Sequence, residues 1–207
     1  MYTPKFNQVG DRDLLIEAMQ AYSFAILFRP QSDPQSPAPL VATHLPLVVK
    51  DEGPHGLLEG HFARANPQWK SLSGRETLVV FSGPHSFVSP NLYADPLSVP
   101  TWNYIAIHAY WTLELIEDEA GKEALLASLI QAHEPAFALK WREMPEGFRS
   151  SMLTGIAAFR ITIRRIEGKF KISQNRDEAE RRNIQAAHAE GTPDQQALAA
   201  WMKRLSG

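Results

Sequence analysis

The chain has 207 residues, no cysteine, 44% hydrophobic and 21% charged residues, and a formal net charge of −2. That length buries a full core without disulfides or a structural metal, and the missing cysteines exclude disulfides, thiolate catalysis and cysteine-ligated zinc. A slightly negative balance argues against a dedicated nucleic-acid binder, whose affinity rests on neutralising phosphates.

No apolar run follows a basic start at Met1, and no segment has the apolar length that spans a bilayer, so the expectation is a cytoplasmic protein with no membrane partner. Residues 1–207 are read as one domain. Residues 11–22 predict a helix, with Asp11 as cap and Leu14, Leu15, Ala18, Met19 and Tyr22 at helical spacing. Residues 23–28 are strand-like. Pro30, Pro34, Pro37 and Pro39 predict a loop over residues 29–39. Short segments rich in Val, Ile, Leu, Phe and Tyr follow at 40–49, 57–63, 77–81, 86–89 and 103–113, the pattern of a barrel or sandwich. Asn66-Pro67 predicts one helical turn among them.

Residues 122–133 and 148–156 predict helices. Residues 158–166 predict a half-buried strand, in which Phe159, Ile161 and Ile163 alternate with Arg160, Thr162 and Arg164. Glu167-Gly168 reads as a turn. C-terminal helices are expected at 177–189 and 193–205, the last opened by the capping-box pattern Thr192-Pro193-Asp194-Gln195.

Dinucleotide fingerprints, phosphate loops and nucleophile elbows are missing from the sequence. His55, Glu59 and His61 match no zinc-binding spacing, so no metal is expected. In Gly60-His61-Phe62-Ala63-Arg64-Ala65-Asn66-Pro67-Gln68-Trp69-Lys70 a strand runs into a helical start. Arg64, Asn66, Lys70 and backbone N–H groups there suit an anion, although a surface Arg beside a capped turn has the same pattern. Val99-Pro100-Thr101-Trp102-Asn103-Tyr104 sets aromatic and hydrogen-bonding side chains at a strand entry, as a planar ligand or an interface requires. In residues 168–176, Lys and Ser suit a phosphate and Gln or Asn a heterocycle edge, while Ser173 or Asn175 equally suits a helix cap.

These stretches in this order resemble the PaiB family of FMN-binding negative transcriptional regulators. The matching pieces are Tyr2-Thr3-Pro4-Lys5-Phe6, Thr43-His44-Leu45-Pro46, the stretch from Gly60 to Trp69, Phe81-Ser82-Gly83-Pro84, Val88-Ser89-Pro90, Val99 to Tyr104 with His108, Glu167-Gly168-Lys169 and Lys171 to Arg176. Phe62, Phe87, Asn91-Leu92-Tyr93 and Tyr110-Trp111 depart from the family pattern. The resemblance implies a mainly β fold with peripheral helices (α+β), an FMN-binding split β-barrel related to pyridoxine-phosphate oxidases, with FMN in a groove of a homodimer. It implies Arg64, Asn66 and Lys70 on the phosphate side, with Ala65 and His61 beside them. Thr43, His44 and Leu45 come from the adjacent strand, Thr101, Trp102 and Asn103 face the ring, and Ser173, Gln174 and Asn175 close the site.

The function so implied is a flavin-binding regulator. The alternatives are an FMN-dependent oxidoreductase of the flavin-reductase or pyridoxamine-phosphate-oxidase type, in which His61 and His108 are the acid–base candidates, and a fold that has lost its flavin. Residues 160–182 hold eight basic and four acidic side chains, a local balance of +4. No helix-turn-helix pattern accompanies that stretch, so weak, sequence-independent DNA binding is the most that is expected.

Overall fold

The computed structural model describes residues 1–30, 40–72 and 74–205. Beyond Arg29 and Pro30, the expected loop over residues 29–39 lies outside the described residues. By its contacts the chain divides into a central unit, Arg12–Phe81 with His108–Ile166, and a terminal unit, Met1–Asp11 with Ser82–Ile107 and Glu167–Gly207.

The central unit begins with helix α1 (Arg12–Ala21), which buries the predicted stripe of Leu14, Leu15, Ala18 and Met19. Strand β2 (Phe24–Pro30) then pairs antiparallel with β3 (Leu40–Pro46), from Phe24 opposite Pro46 to Pro30 opposite Leu40. Ile26–Phe28 of β2 also pair with Leu78–Val80 of β6 (Glu76–Val88). A second antiparallel sheet has the order β4 (Val48–Lys50), β5 (Leu57–Ala63), β9 (Ile156–Thr162), β8 (Glu114–Ile116). Its register is pinned by fully buried Leu58, Phe62, Phe159 and Ile161, with the two phenyl rings 5.2 Å apart. A one-residue slip would turn these side chains out to solvent. Helix α3 (Glu119–His133), capped by Asp118, packs Leu125 and Leu129 on Ile116 and Ala158. Helix α5 (Glu146–Thr154) falls close to its predicted place, whereas α4 (Phe137–Glu143) and β8 were not anticipated.

In the terminal unit β1 (Gln8–Val9) pairs with β10 (Arg165–Lys171), and the strand order is β1, β10, β7 (Thr101–Thr112), β6. Helices α6 (Glu178–Ala189) and α7 (Pro193–Arg204) follow, and the Thr192–Gln195 capping box forms as predicted. Trp201 of α7 meets Phe170 edge to face, 5.4 Å between centroids. The sum is the expected mainly antiparallel β fold with peripheral helices.

The expected strand over residues 40–49 is two strands, β3 and β4, in different sheets, and the one over 158–166 ends at Thr162 in β9, with residues 165–166 opening β10. Arg29 and Pro30, expected in a loop, end strand β2. Two further expectations need correction. Residues 77–81 and 86–89 belong to one strand, β6. Its burial alternation shifts by one residue between Phe81 and Pro84, the mark of an extra residue in a strand, and this is what imitates a turn in the sequence. Glu167-Gly168 is not a turn either, since Gly168 sits inside β10 opposite Val9.

His188 of α6 is 1% exposed and neither ring nitrogen has a hydrogen-bond partner among the described residues. Burial lowers the pKa of His188, and of His61, below the ordinary 6.5. The unfolded chain therefore takes up protons before the native one does. Stability should fall as pH drops below about 6.5. Urea midpoints at pH 7.5 and 5.5 check this, and His188→Leu should flatten the difference.

Candidate functional site

In the central unit, β5 ends at Ala63 and the chain turns through Arg64, Ala65, Asn66 and Pro67 into the short helix α2 (Gln68–Leu72). The turn is tied down. Arg64 N–H donates to the Gly155 carbonyl at 2.8 Å and Asn66 N–H to that of Ala63 at 2.9 Å. Asn66 Oδ1 accepts from the Gln68 N–H at 3.0 Å, and Asn66 Nδ2 donates to Thr43 Oγ1 at 3.1 Å. Thr43 in turn donates to Gln68 Oε1, and Gln68 Nε2 reaches the carbonyls of Leu27 and Val41. Thr43 and Asn66 are thus brought together as expected, but in a network that locks the turn to β3. Gln68, 3% exposed, organises this network, and sequence reasoning did not single it out.

Two cations stand above this locked turn. The Arg64 guanidinium lies 4.9 Å and the Lys70 ammonium 5.7 Å from the centroid of Trp69, whose indole N–H is fixed on the Arg64 carbonyl at 3.0 Å. Both are exposed and neither forms an ion pair among the described residues. Ala65 is exposed beside them. On β3, alternation sends Leu45 into the core and leaves His44 exposed, 6.0 Å from the ring of Phe24. His61 keeps a buried Nδ1 without a partner, and its burial favours the neutral imidazole.

A different face of the central unit carries a cavity of about 1080 Å³, lined by Phe28, Leu78, Val80, His108 and Tyr110 among others. These are the outward residues of β2, β6 and β7. The inward ones, Leu27, Val79 and Ala109, are fully buried. A sheet with one solvated face alternates apolar and polar residues, whereas here both faces are largely apolar. His108 lies 3.4 Å from the Tyr110 hydroxyl, and Arg165 stacks 3.4 Å over the same ring.

The terminal unit separates Trp102 from its neighbours. Trp102 is 52% exposed and packs with His85 and Phe87, with centroids 6.2 and 6.1 Å away. Thr101 and Asn103 instead line a cavity of about 410 Å³ together with Ser173, Asn175, Lys169 and Lys171. Asn103 is fully buried and donates to Ser173 Oγ at 2.9 Å. Ser173 holds a left-handed φ of +66°, unusual for a residue with a Cβ. Gln174 spends its side chain on the turn, accepting from Ile172 N–H at 2.8 Å and donating to the Phe170 carbonyl. The sequence-based set omits Lys169 and Lys171. Their spacing, two apart on a strand and so sharing a face, was the available signal.

A pair of exposed cations with no acidic partner among the described residues, fixed on one indole, fits the dianionic phosphate of FMN. The family model described as "Putative FMN-binding domain" matches residues 1–165. The chain is 33% identical over 208 residues to the protease synthase and sporulation protein PAI 2 of Bacillus subtilis, covering 98% of this chain and 97% of that one. Among solved structures it resembles the flavocytochrome Anf3 from Azotobacter vinelandii, with a TM-score of 0.63 at 15% identity over 82% of this chain and 72% of the other. It also resembles an FAD and heme binding protein from Mycobacterium smegmatis, with a TM-score of 0.61 at 17% identity over 90% and 81%. At such identities these two likenesses establish the fold alone. With a family match over most of its length and a relative alike from end to end, the chain belongs to the PaiB-type FMN-binding family, and FMN is its cofactor.

Proposed function

We propose that this protein is a homodimeric FMN-binding regulator that holds the flavin phosphate with Arg64 and Lys70. The observation that carries this reading is the pair of cations on Trp69, without an ion-pair partner among the described residues, set on a turn that the Thr43–Asn66–Gln68 network keeps rigid. That network is made by the chain's own side chains, so the turn is held without help from a phosphate and little conformational entropy is lost when one binds. His44 and Ala65 border the same turn from its exposed side. FMN, when bound, supplies one- or two-electron chemistry, and the protein supplies orientation and exclusion of water.

The purified chain should bind FMN with one-to-one stoichiometry. Arg64→Ala should weaken FMN by about 1.5–3 kcal/mol, the range for hydrogen bonds to charged groups. Riboflavin, without the phosphate, should barely respond. Calorimetry with both ligands makes the comparison, and equal losses would mean that Arg64 supports the fold instead.

The homodimer is supported by the apolar outward face of β2, β6 and β7, which solvent alone covers poorly. Regulation in this proposal does not run through base reading. Within the basic stretch Arg165 pairs with Glu76, Arg176 with Glu180 and Arg182 with Glu178, while Lys169 and Lys171 line a cavity. Anisotropy titrations at physiological salt should give weak binding that random DNA competes equally. Nanomolar affinity for one sequence would refute the indirect reading.

A further inference from the structure

We propose that the cavity of the terminal unit binds a small phosphomonoester that carries a hydroxyl group, at a site separate from the flavin's. Its charge balance is the first reason. Lys169, 9% exposed, and Lys171 both line it, and neither meets a carboxylate among the described residues. Arg176 also lines it but lies 3.6 Å from the buried Glu180, so two positive charges are left over. Burying an ammonium without a counter-ion is costly. A phosphomonoester, at about −1.5 to −2 near neutral pH, matches the surplus. A single carboxylate would leave half of it.

The second reason is a set of polar atoms with nothing to bond. Asn7 and Tyr93, 2% and 8% exposed, line the same cavity, and Asn7 Oδ1 and Tyr93 Oη have no hydrogen-bond partner among the described residues. Buried polar atoms are nearly always satisfied, so orphans on two residues of one cavity lining point to a missing partner. The Tyr93 phenol can donate to a phosphate oxygen. The Asn7 carbonyl oxygen needs a donor, which a bare phosphate dianion lacks and a hydroxyl supplies.

The rest of the lining is held ready. Lys171 donates to Thr101 Oγ1, and Lys169 donates to the Tyr2 carbonyl at 3.0 Å with its ammonium 5.6 and 5.3 Å from the Tyr2 and Tyr104 rings. Ser173 keeps its left-handed backbone beside Asn103, a strained conformation of the kind found at ligand sites. Lys169, Lys171, Ser173 and Arg176 all fall after residue 165, where the match to the FMN-binding model ends. The inference therefore stands apart from the assignment of Arg64 and Lys70 to the flavin.

The test uses the full chain saturated with FMN, titrated calorimetrically with glycerol 3-phosphate, inorganic phosphate and glycerol. Glycerol 3-phosphate should bind one to one, inorganic phosphate more weakly, and glycerol not at all. Lys171→Gln should reduce glycerol 3-phosphate affinity roughly tenfold or more and leave FMN affinity unchanged. Asn7→Leu should erase the advantage of the ester over inorganic phosphate. Arg64→Ala should leave ester binding intact, so a failed flavin assignment and a failed ester site give different patterns. If Lys169→Gln does not fold, the more exposed Lys171 still reads the site. No phosphate binding to the FMN-saturated chain would overturn the proposal. So would a Lys171→Gln loss shared equally by FMN, which would make the cavity the flavin's own seat.

Discussion

Val80→Asp should convert the proposed dimer to monomer, raising its dissociation constant at least ~1000-fold. Val80 sits on the outward face of β6, opposite Ile26 of β2, with Leu78 and Phe28 on the same face. In the single chain it is half-buried, so an aspartate there keeps contact with water and the monomer should fold. In a two-fold dimer each face meets its copy, and the substitution brings two carboxylates into the interface. An uncompensated buried charge costs about 3–5 kcal/mol, and each 1.4 kcal/mol is roughly tenfold in affinity. Sedimentation at micromolar concentration, with circular dichroism to confirm folding, decides the matter. A variant that stays dimeric would move the interface elsewhere, and a monomeric parent chain would end the dimer proposal.

Legibility in the sequence followed the range of the interactions involved. Helix α1 and the Thr192 capping box were readable because their determinants, the Leu14–Met19 stripe and the Thr192–Gln195 reciprocity, lie within a few residues of each other. Strand β9 was readable from Phe159 and Ile161 alternating with Arg160 and Thr162, although the strand ends at Thr162, short of the expected 166. The failures were non-local. Gly83-Pro84 looks like a turn because proline lacks an N–H. It stays in β6 because the pairing with β2 covers only Leu78–Val80 and leaves that end without a β2 partner to satisfy. Gly168 looks like a turn residue until Val9, far away in sequence, is seen to pair with it.

The candidate site divides the same way. In the sequence Arg64, Asn66 and Lys70 suited an anion and equally a surface Arg beside a capped turn, and the structure keeps the two cations exposed on the Trp69 indole. What the sequence could not show is that Thr43 and Asn66 are occupied by Gln68, or that Leu45 faces the core. It also could not show that Lys169 and Lys171 share a cavity with Asn7 and Tyr93, since those four come from three separate stretches of chain.

Phe159→Ala should destabilise the protein by about 3–5 kcal/mol, the cost of emptying a phenyl-sized space in a packed core. Phe159 is fully buried on β9, pairs with Gly60 across the β5–β9 ladder and packs its ring on Phe62. Gly60 is what lets the ring in. A Cβ there would stand 3.1 Å from Phe159 Cζ and 2.6 Å from Leu47 Cδ2. Gly60→Ala alone should therefore cost about 1–3 kcal/mol through overpacking. The two costs should not add. With the ring removed, the Gly60→Ala methyl enters vacated space and Leu47 gains room to move aside, so the double variant should be more stable than the sum predicts by roughly 0.5–3 kcal/mol. Urea denaturation of the four proteins in the cycle measures that coupling. Strict additivity would mean that Gly60 and Phe159 do not share one packing problem, and that the β5–β9 register is held by something other than this contact.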